Sequence, residues 1–435
     1  MKKRTEKLLA LATLLTMGAA TLASCGNKAA SGESASGGAK AEGKVALSMA
    51  IWDEKQRAMT ESLAEAYTKA HTNVSIEVQL TPYKGGEYWT KLEAAATGGK
   101  APDVFWLNVL HTDSYVDGGI LADLSDAIAK SDIKDNFPES LVNNYVRDGK
   151  NYAVPKDFDS NALWYNKEIF DEAGVSYPTN DMSYEDLVAK AEELKQAGLD
   201  EGVYPFACPV DFQTWYYQTV FANGGWILSE DKKTSGYDDP KTQGGIQCWI
   251  DMIDKELSPS SAALSETSAD AMFEGGQLAM NFAGSYMVPE YASNDNIKDK
   301  IDCVELPSFN GIETNCINGL GFAVYEGSKN KEAATEFAIW LSSKEAMDIQ
   351  GNTGVVISAR NDSQELFAKS SDKYALAVYT AHTDKAYPLP VCKNAAQLYD
   401  MESKALQKAY SGEESLAEAC KALKVEADAF LAKNQ

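Results

Sequence analysis

Hydrophobic and polar positions alternate between strand and helix patterns from residue 45 onwards. Three apolar or alternating runs predict strands at 45–52, 74–80 and 102–107. Apolar residues one helical turn apart predict the intervening helices, one through Leu63, Ala66, Tyr67 and Ala70 and a second over 88–96. This βαβαβ order is typical of a parallel sheet covered by helices, so the predicted fold class is α/β.

The pattern continues with shorter elements. Further strands are predicted at 152–154, 162–165, 203–207, 277–282, 304–307 and 319–325. Further helices are predicted at 125–130, 167–172, 183–198, 213–225, 242–256, 268–275 and 331–341, and the remainder to residue 435 is mostly helical.

One stretch, residues 151–178, interrupts the pattern in an informative way. A short apolar run breaks at Pro155, two carboxylates follow at Asp157 and Asp159, and a new strand and helix begin at once. A strand that ends in acids and then feeds another strand and helix indicates a crossing between two lobes.

The N-terminus is a processing signal rather than part of the fold. Residues 1–24 combine a positively charged start with an apolar run too short to span a bilayer stably, which predicts a lipoprotein signal peptide. Leu22-Ala23-Ser24-Cys25 matches a bacterial lipobox, so Cys25 is the expected lipidation site; a plain secretory signal with a chance cysteine is the alternative. Residues 25–43 are rich in Gly, Ala and Ser and predict a flexible tether.

Composition narrows the class of partner. The formal net charge is −24, and it becomes −27 once residues 1–24 are removed. Because nucleic-acid binding needs a positive face for the phosphates, this balance argues against a nucleic-acid partner. With 44% hydrophobic residues, the chain after the tether can bury the cores of one large or two medium domains.

Metal and cofactor motifs are missing from the sequence. There is no CxxC pair, no zinc-like His/Cys spacing, no GxGxxG after a strand and no phosphate-binding P-loop, so no metal or cofactor is expected. Six cysteines follow Cys25, at positions 208, 248, 303, 316, 392 and 420. Cys303 and Cys316 flank a turn and are candidates for a disulfide, with buried free thiols as the alternative.

Carboxylates and aromatic rings carry the candidate chemistry. Asp157 and Asp159 point the same way if the backbone is extended, so they are open to three interpretations: a hydrolytic pair, hydrogen-bond partners for sugar hydroxyls, or solvated loop acids. Trp52, Trp215 and Tyr286 fall at element ends or on an aromatic-rich face, where rings can stack on a pyranose. Three other indoles are expected in the core: Trp164, Trp249 and Trp340.

The order of several segments resembles the extracellular solute-binding proteins of sugar-importing ABC transporters, the family that includes maltose-binding protein. The segments that carry the resemblance are KLEAAATGGKAPDVFWL (91–107), the Gly-x-Leu-x-x-Leu-like turn at 119–124, 152–174 with its Val-Pro, Tyr-Asn-Lys and Ala-Gly, FEGGQLAMNFAGSY (273–286), and 319–354. Two departures stand out: Asn-Gly-Leu-Gly at 318–321 and Tyr184 where a Trp is usual.

The resemblance implies two α/β lobes joined by hinge strands, with a ligand cleft between them. It divides the chain into an N-terminal lobe of 44–156 plus about 300–343 and a C-terminal lobe of 157–299 plus about 344–435. The ligand-binding positions that it implies are Trp52, Asp53, Asn108, Asp159, Trp215, Tyr286 and, from the last segment, His382, with Asp384 and Tyr387 near it. Asp159 is the better ligand contact, and Asp157 is a hinge or rim residue.

The expected function is that of a non-enzymatic, monomeric receptor. It would be anchored through Cys25 on the outer face of the cytoplasmic membrane, capture an oligosaccharide and deliver it to an ABC permease. Three alternatives remain open from the residues: a polyamine or other non-sugar solute, a secreted glycosidase that uses Asp157 and Asp159, and a carbohydrate-capture module without a transporter.

Overall fold

The computed structural model describes residues 43–83 and 86–434. Its strands are β1 (Val45–Ile51), β2 (Val74–Leu80), β3 (Val104–Asn108), β4 (Val146–Arg147), β5 (Lys150–Asn151), β6 (Ala153–Asp159), β7 (Asn161–Asn166), β8 (Met280–Gly284), β9 (Ile301–Val304), β10 (Cys316–Val324), β11 (Ile357–Ser358) and β12 (Tyr387–Pro388). The signal peptide, Cys25 and almost all of the tether lie outside the described residues.

Helices cover most of the remaining chain. They are α1 (Arg57–Ala70), α2 (Glu87–Thr97), α3 (Thr112–Asp117), α4 (Ser125–Ala129), α5 (Ile133–Asn136), α6 (Glu139–Asn143), α7 (Lys167–Ala173), α8 (Tyr184–Ala197), α9 (Tyr217–Ala222), α10 (Pro240–Asp254), α11 (Ser261–Glu266), α12 (Ala269–Glu274), α13 (Val288–Ser293), α14 (Lys331–Trp340), α15 (Lys344–Asn352), α16 (Gln364–Ala368), α17 (Ala395–Tyr410) and α18 (Leu416–Lys433). Among the helices of the described ranges, none has the length and apolarity that a bilayer crossing requires.

The first sheet confirms the predicted βαβαβ unit. Its order is β11–β6–β10–β3–β1–β2, with β12 paired to the start of β10. Strand β1 pairs in parallel with β2 and β3, whereas β10 enters antiparallel between β3 and β6. Helix α1 packs against β2 and α15, so one face of this sheet is covered by helices from distant parts of the chain.

The second sheet begins where β6 ends. Strand β7 lies between β8 and β9 and is antiparallel to both. Only Ser160 separates the last residue of β6 from the first residue of β7, so the chain changes sheet at this residue. We use "first lobe" and "second lobe" for the parts of the chain built around the first and second sheets.

Strand pairing changes sheet at places other than the boundaries expected from sequence. The expected divisions were 156/157, 299/300 and 343/344. Strand β6 stays in the first sheet to Asp159, β9 pairs with β7, and β11 pairs with β6. We therefore propose 43–159 plus 316–359 and β12 for the first lobe, and 161–304 plus the rest of 376–434 for the second. The expected divisions came from the family resemblance, whereas long-range pairing determines sheet membership.

Two asparagines join the crossing segments between the lobes. The backbone N–H and side-chain Nδ2 of Asn161 both donate to Asn315 Oδ1 at 3.0 Å, and Asn315 Nδ2 donates to the Asn161 carbonyl at 2.8 Å. Both side chains are buried, so these bonds form away from bulk water. The outgoing strand at 161 and the returning strand at 315 are thereby held side by side.

Of the local features predicted for the second lobe, the helix caps are present, whereas one strand and the length of one helix differ. The capping box at Ser183 is present with both of its hydrogen bonds, and Gly174 ends α7 in the left-handed region with φ of 66°. The strand predicted at 203–207 was wrong, because only Tyr204 forms a bridge, to Leu278. The helix predicted at 213–225 is shorter and starts with a π-helical turn at Phe212–Tyr216.

A carboxylic acid lies in the core of the second lobe. Glu402 of α17 is 0% exposed, and its Oε2 accepts a 2.7 Å hydrogen bond from the Tyr217 hydroxyl. Burial raises the pKa of Glu402 to about 8, while Tyr217, Tyr237 and Tyr216 oppose the shift. Glu402 is therefore largely protonated at neutral pH.

The cysteines that follow the tether are unpaired. Cys303 lies in β9 and Cys316 in β10, and each is a free, buried thiol, like the other four at 208, 248, 392 and 420. Cys303 and Cys316 are therefore buried free thiols, which was the alternative to a disulfide between them.

Candidate functional site

The crossing at Ser160 places two acids of the first sheet at the junction with the second sheet. Asp157 and Asp159 lie opposite Leu320 and Asn318 of β10 in the strand register. On the second-lobe side, the backbone N–H of Ser285 donates to the Ser160 carbonyl at 2.9 Å. The end of β6, the start of β7 and the end of β8 therefore meet at one point.

Asp157 is a buried member of this junction. It is 1% exposed, forms an ion pair with Lys156 and accepts a 3.2 Å hydrogen bond from the Leu320 backbone N–H. Burial raises the pKa of Asp157 above its ordinary value, and the Lys156 ammonium opposes that shift. The interpretation of both acids as solvated loop residues is wrong for Asp157.

Asp159 has a different environment, although it is only two residues away. Its side chain is partly exposed, and its Oδ1 accepts a 3.4 Å hydrogen bond from Ser285 Oγ. Desolvation raises the pKa of Asp159 to about 8, and the neighbouring Asp157 adds to the shift. A carboxyl that is partly open yet strongly desolvated can accept or donate a hydrogen bond to a ligand hydroxyl.

Asp53 joins the same acidic group from the loop after β1. Its Oδ1 accepts from the Lys55 backbone N–H and its Oδ2 from Gln56 Nε2, both at 2.8 Å. The charge of Asp53 contributes to the raised pKa of both Asp157 and Asp159, so the three carboxyls lie within electrostatic reach of one another. Asp53 and Asp159 therefore lie in one acidic group, and their role as ligand contacts stays a prediction.

Trp52 lies beside Asp53 in an aromatic cluster of the first lobe. The indole is partly exposed and meets Trp106 and Tyr88 edge to face, at centroid distances of 5.1 and 4.9 Å. The Tyr83 ring, 6.1 Å away, is exposed. The packing holds the Trp52 ring in place while part of its surface stays accessible, which suits a stacking surface.

Tyr286 provides an aromatic surface from the second lobe. Its side chain is 38% exposed, and yet desolvation raises its pKa well above the ordinary value, with Asp270, Asp211 and Asp159 as the charged neighbours. That combination is expected for a ring in a cleft. The close approach depends on Gly284, since a Cβ there would lie 2.2 Å from the Tyr286 ring.

Three other predicted positions have structural partners. Asn108 is partly exposed, and its Oδ1 caps the 3₁₀ turn Val109–His111 by accepting from the Leu110 backbone N–H at 3.0 Å. Trp215 is 5% exposed and donates its indole N–H to the Ala207 carbonyl at 2.8 Å, so it belongs to the core. His382 Nε2 lies 2.8 Å from Glu305 Oε2.

His382 therefore has a partner of its own rather than a contact with Asp159. Its other ring nitrogen lies 3.8 Å from Glu313, an exposed acid that also binds Lys385. The nearby Tyr387 is 39% exposed, and its ring lies 4.8 Å from that of Phe221. The expectation that His382 contacts the ligand stays a prediction.

Several polar residues near the crossing were missed at the sequence level. Lys156 lies inside a buried strand, and a lysine in an apolar strand pattern is a signal that the sequence alone contains. Gln213 lies in the π-helical turn, where its Oε1 accepts from Asn318 Nδ2 at 3.4 Å and its buried Nε2 has no hydrogen-bond partner among the described residues. Asp211 caps the same turn through the Thr214 backbone N–H.

One further contact joins the loop after β1 to the second lobe. Lys55 Nζ, in the loop after β1, donates to Ser293 Oγ at 2.9 Å and lies 3.3 Å from Glu290 Oε2. Both partners belong to α13, the helix that follows Tyr286. The loop that carries Trp52 and Asp53 is thus tied to the helix beside Tyr286. Within the described residues, no cluster of three or more His, Cys, Asp or Glu side chains could hold a metal ion.

Comparisons with known proteins agree with this architecture. The diacetylchitobiose binding protein DasA of Streptomyces coelicolor is 28% identical over 77% of this chain and 78% of its own length. A maltooligosaccharide ABC transporter solute-binding lipoprotein of Streptococcus pneumoniae is 23% identical over 95% of this chain and 94% of its own.

Solved structures share the fold. An ABC substrate-binding protein of Listeria monocytogenes, in complex with cycloalternan, superposes with a TM-score of 0.80 at 24% identity, covering 89% of this chain and 99% of its own. The GacH receptor of Streptomyces glaucescens superposes with a TM-score of 0.79 at 24% identity, covering 91% and 100%. Residues 52–348 match the family described as bacterial extracellular solute-binding protein, and the chain belongs to that family.

Proposed function

We propose that this protein captures an oligosaccharide between its lobes and delivers it to the membrane permease of an ABC importer. The observation that carries the proposal is the meeting of Asp53, Asp159 and Tyr286 at the crossing, next to Trp52. Carboxyl groups that bond hydroxyls and rings that stack on pyranose faces are the two contacts that a sugar needs.

The relatives support the choice of ligand class. Their names refer to diacetylchitobiose and maltooligosaccharides, and the Listeria structure contains cycloalternan. Each of these is an oligosaccharide. A ligand that touches both Asp53 of the first lobe and Tyr286 of the second would favour the closed arrangement, because it gains contacts only there.

Hydrolysis is the weaker proposal on geometric grounds. A glycosidase needs two carboxyl groups that both reach the glycosidic bond. Asp157 is buried, and both of its carboxylate oxygens are already engaged, one by Lys156 and the other by the Leu320 N–H. The relatives of this chain are named as binding proteins.

The cellular setting follows from the sequence and the family. We propose that Cys25 carries a lipid that anchors a monomeric receptor on the outer face of the cytoplasmic membrane. The pneumococcal relative is named as a lipoprotein. Labelling with a palmitate analogue, lost in Cys25→Ala, tests this part directly.

Thermal shift against a panel of oligosaccharides tests the main proposal, because a ligand that binds the native state raises the unfolding midpoint. A hit should then be measured by calorimetry in the wild type, in Asp159→Ala and in a control, Asp181→Ala, which removes an exposed acid of the second lobe. Loss of a hydrogen bond in a desolvated site should weaken binding by about tenfold or more in Asp159→Ala only. Equal affinities in all three proteins would contradict this site.

A further inference from the structure

Lys156 is the buried charge that the proposed site does not yet explain. Its side chain is 0% exposed. The ammonium lies 4.3 Å from the centroid of the Trp106 ring, donates to Gln56 Oε1 at 2.9 Å and pairs with Asp157. The backbone is fixed as well, because the Lys156 carbonyl accepts from Gln350 Nε2 at 2.8 Å.

These contacts form a continuous chain to the ligand side. Lys156 holds Gln56 by its oxygen, and Gln56 in turn donates Nε2 to Asp53 Oδ2 at 2.8 Å. On its other side Lys156 pairs with Asp157, which is fixed by the Leu320 N–H. A side chain of β6 thereby determines how Asp53, on the loop after β1, presents its carboxylate.

The charged groups near Lys156 are carboxylates. Its acidic neighbours are Asp157 and Asp159 on its own strand, and Asp53 is linked to it through Gln56. The α15 and β3 residues that contact it, Gln350 and Trp106, are uncharged. Desolvated carboxylates would attract an organic cation. In this protein, the Lys156 ammonium takes the place of such a cation.

We infer that Lys156 is the built-in counter-cation of the cleft and its specificity-determining residue: its ammonium neutralises the acidic group, positions Asp53 through Gln56 and makes the cleft selective for uncharged polyhydroxylated ligands over organic cations. The selectivity for sugars rests on the proposed function, whereas the exclusion of cations does not. Removing the ammonium should leave a space that accepts a small alkylammonium ion.

Lys156→Ala is the variant that tests this inference, with Lys134→Ala as the control because Lys134 is an exposed lysine of the first lobe. Each protein is studied by thermal shift with n-butylammonium chloride, with n-butanol as the neutral compound of the same shape, and with NaCl at matched ionic strength. Spermidine binding and the affinity for a panel hit are measured by calorimetry.

Wild type and Lys134→Ala should show no response to n-butylammonium beyond that of NaCl, and no saturable spermidine binding. Lys156→Ala should be stabilised by n-butylammonium but not by n-butanol. It should bind spermidine saturably, unlike wild type, because one opposing charge has been removed from a desolvated group. Its sugar affinity should fall, and n-butylammonium should restore it.

Poor folding of Lys156→Ala does not remove the test, since recovery of the melting midpoint by the amine alone is then the readout. Equal rescue by n-butanol would show that Lys156 only fills space and would overturn the inference. Saturable spermidine binding to wild type would overturn it too. If no sugar binds wild type but the amine responses appear as described, the proposed function fails and the counter-cation role stands.

Discussion

Replacing Glu402 by glutamine should remove a large part of the pH dependence of stability in this protein. Glu402 is fully buried among tyrosines, and its pKa rises from an ordinary value of 4.5 to about 8 because burial penalises the carboxylate. The folded state therefore holds the proton that the unfolded chain releases. The contribution of this group to stability is fully present below pH 4.5 and is lost as the pH rises towards 8.

The size of the effect follows from the two pKa values. Each unit of difference corresponds to about 1.4 kcal/mol, so wild type should lose about 3 kcal/mol of unfolding free energy from this residue between pH 5 and pH 8. That is a sizeable fraction of the roughly 5–15 kcal/mol that typically stabilises a folded protein. In Glu402→Gln, the amide oxygen would still accept the Tyr217 hydrogen bond, but the side chain would carry no titratable proton.

Urea unfolding followed by tryptophan fluorescence at pH 5, 6, 7 and 8 provides the measurement, with Glu413→Gln as a control because that glutamate is exposed. Other desolvated acids, such as Asp159 and Asp270, titrate equally in all three proteins, so the difference between wild type and Glu402→Gln isolates Glu402. The wild-type and Glu402→Gln curves should diverge as the pH rises. Parallel curves would refute the assignment of a protonated Glu402.

Three further outcomes are expected. Asp159→Ala should weaken sugar binding, measured by calorimetry, by more than Asp157→Ala does. Asp157→Ala should lower the melting temperature more, because it leaves Lys156 buried without its carboxylate. A larger loss of sugar affinity in Asp157→Ala than in Asp159→Ala would contradict the site. Gly284→Ala should displace the Tyr286 ring and weaken sugar binding, and unchanged calorimetric affinity would show that the ring is not a contact. Lys55→Ala should raise the sugar Kd by up to about fivefold, since a partly exposed ion pair contributes at most about 1 kcal/mol; the Kd of a Lys134→Ala control should not change.

Sequence patterns predicted those parts of the fold that depend on neighbours in the chain. The strands and helices of the first lobe follow from spacing at two and at three to four residues, and the Ser183 capping box is a four-residue signal. The strand expected at 203–207 shows the limit. Its residues are apolar and mostly buried, but only Tyr204 finds a bridging partner, and apolar residues in a buried loop give the same pattern.

The residues of the candidate site also fall into those that local motifs predict and those that depend on contacts between distant positions. Asp53, Asp159 and Tyr286 lie at element ends that the motif order identifies, and the structure brings them together. The link between Lys156 and Gln56 joins positions 100 residues apart, which no local pattern predicts. Trp215 was misjudged for a related reason, because the carbonyl that accepts its indole N–H belongs to Ala207, eight residues earlier in an irregular segment.

The reciprocal bonds between Asn161 and Asn315 restrict how the lobes can move. The Asn315 amide accepts from the backbone and side chain of Asn161 and donates to the Asn161 backbone carbonyl. Sliding one crossing strand past the other by a single residue would therefore break all three hydrogen bonds in a buried site. Twisting about the pair, by contrast, changes backbone torsions on either side and leaves those bonds intact. Opening and closing should therefore be a rotation with a fixed pivot rather than a shear, and the residues that move farthest are those at the greatest distance from 161 and 315.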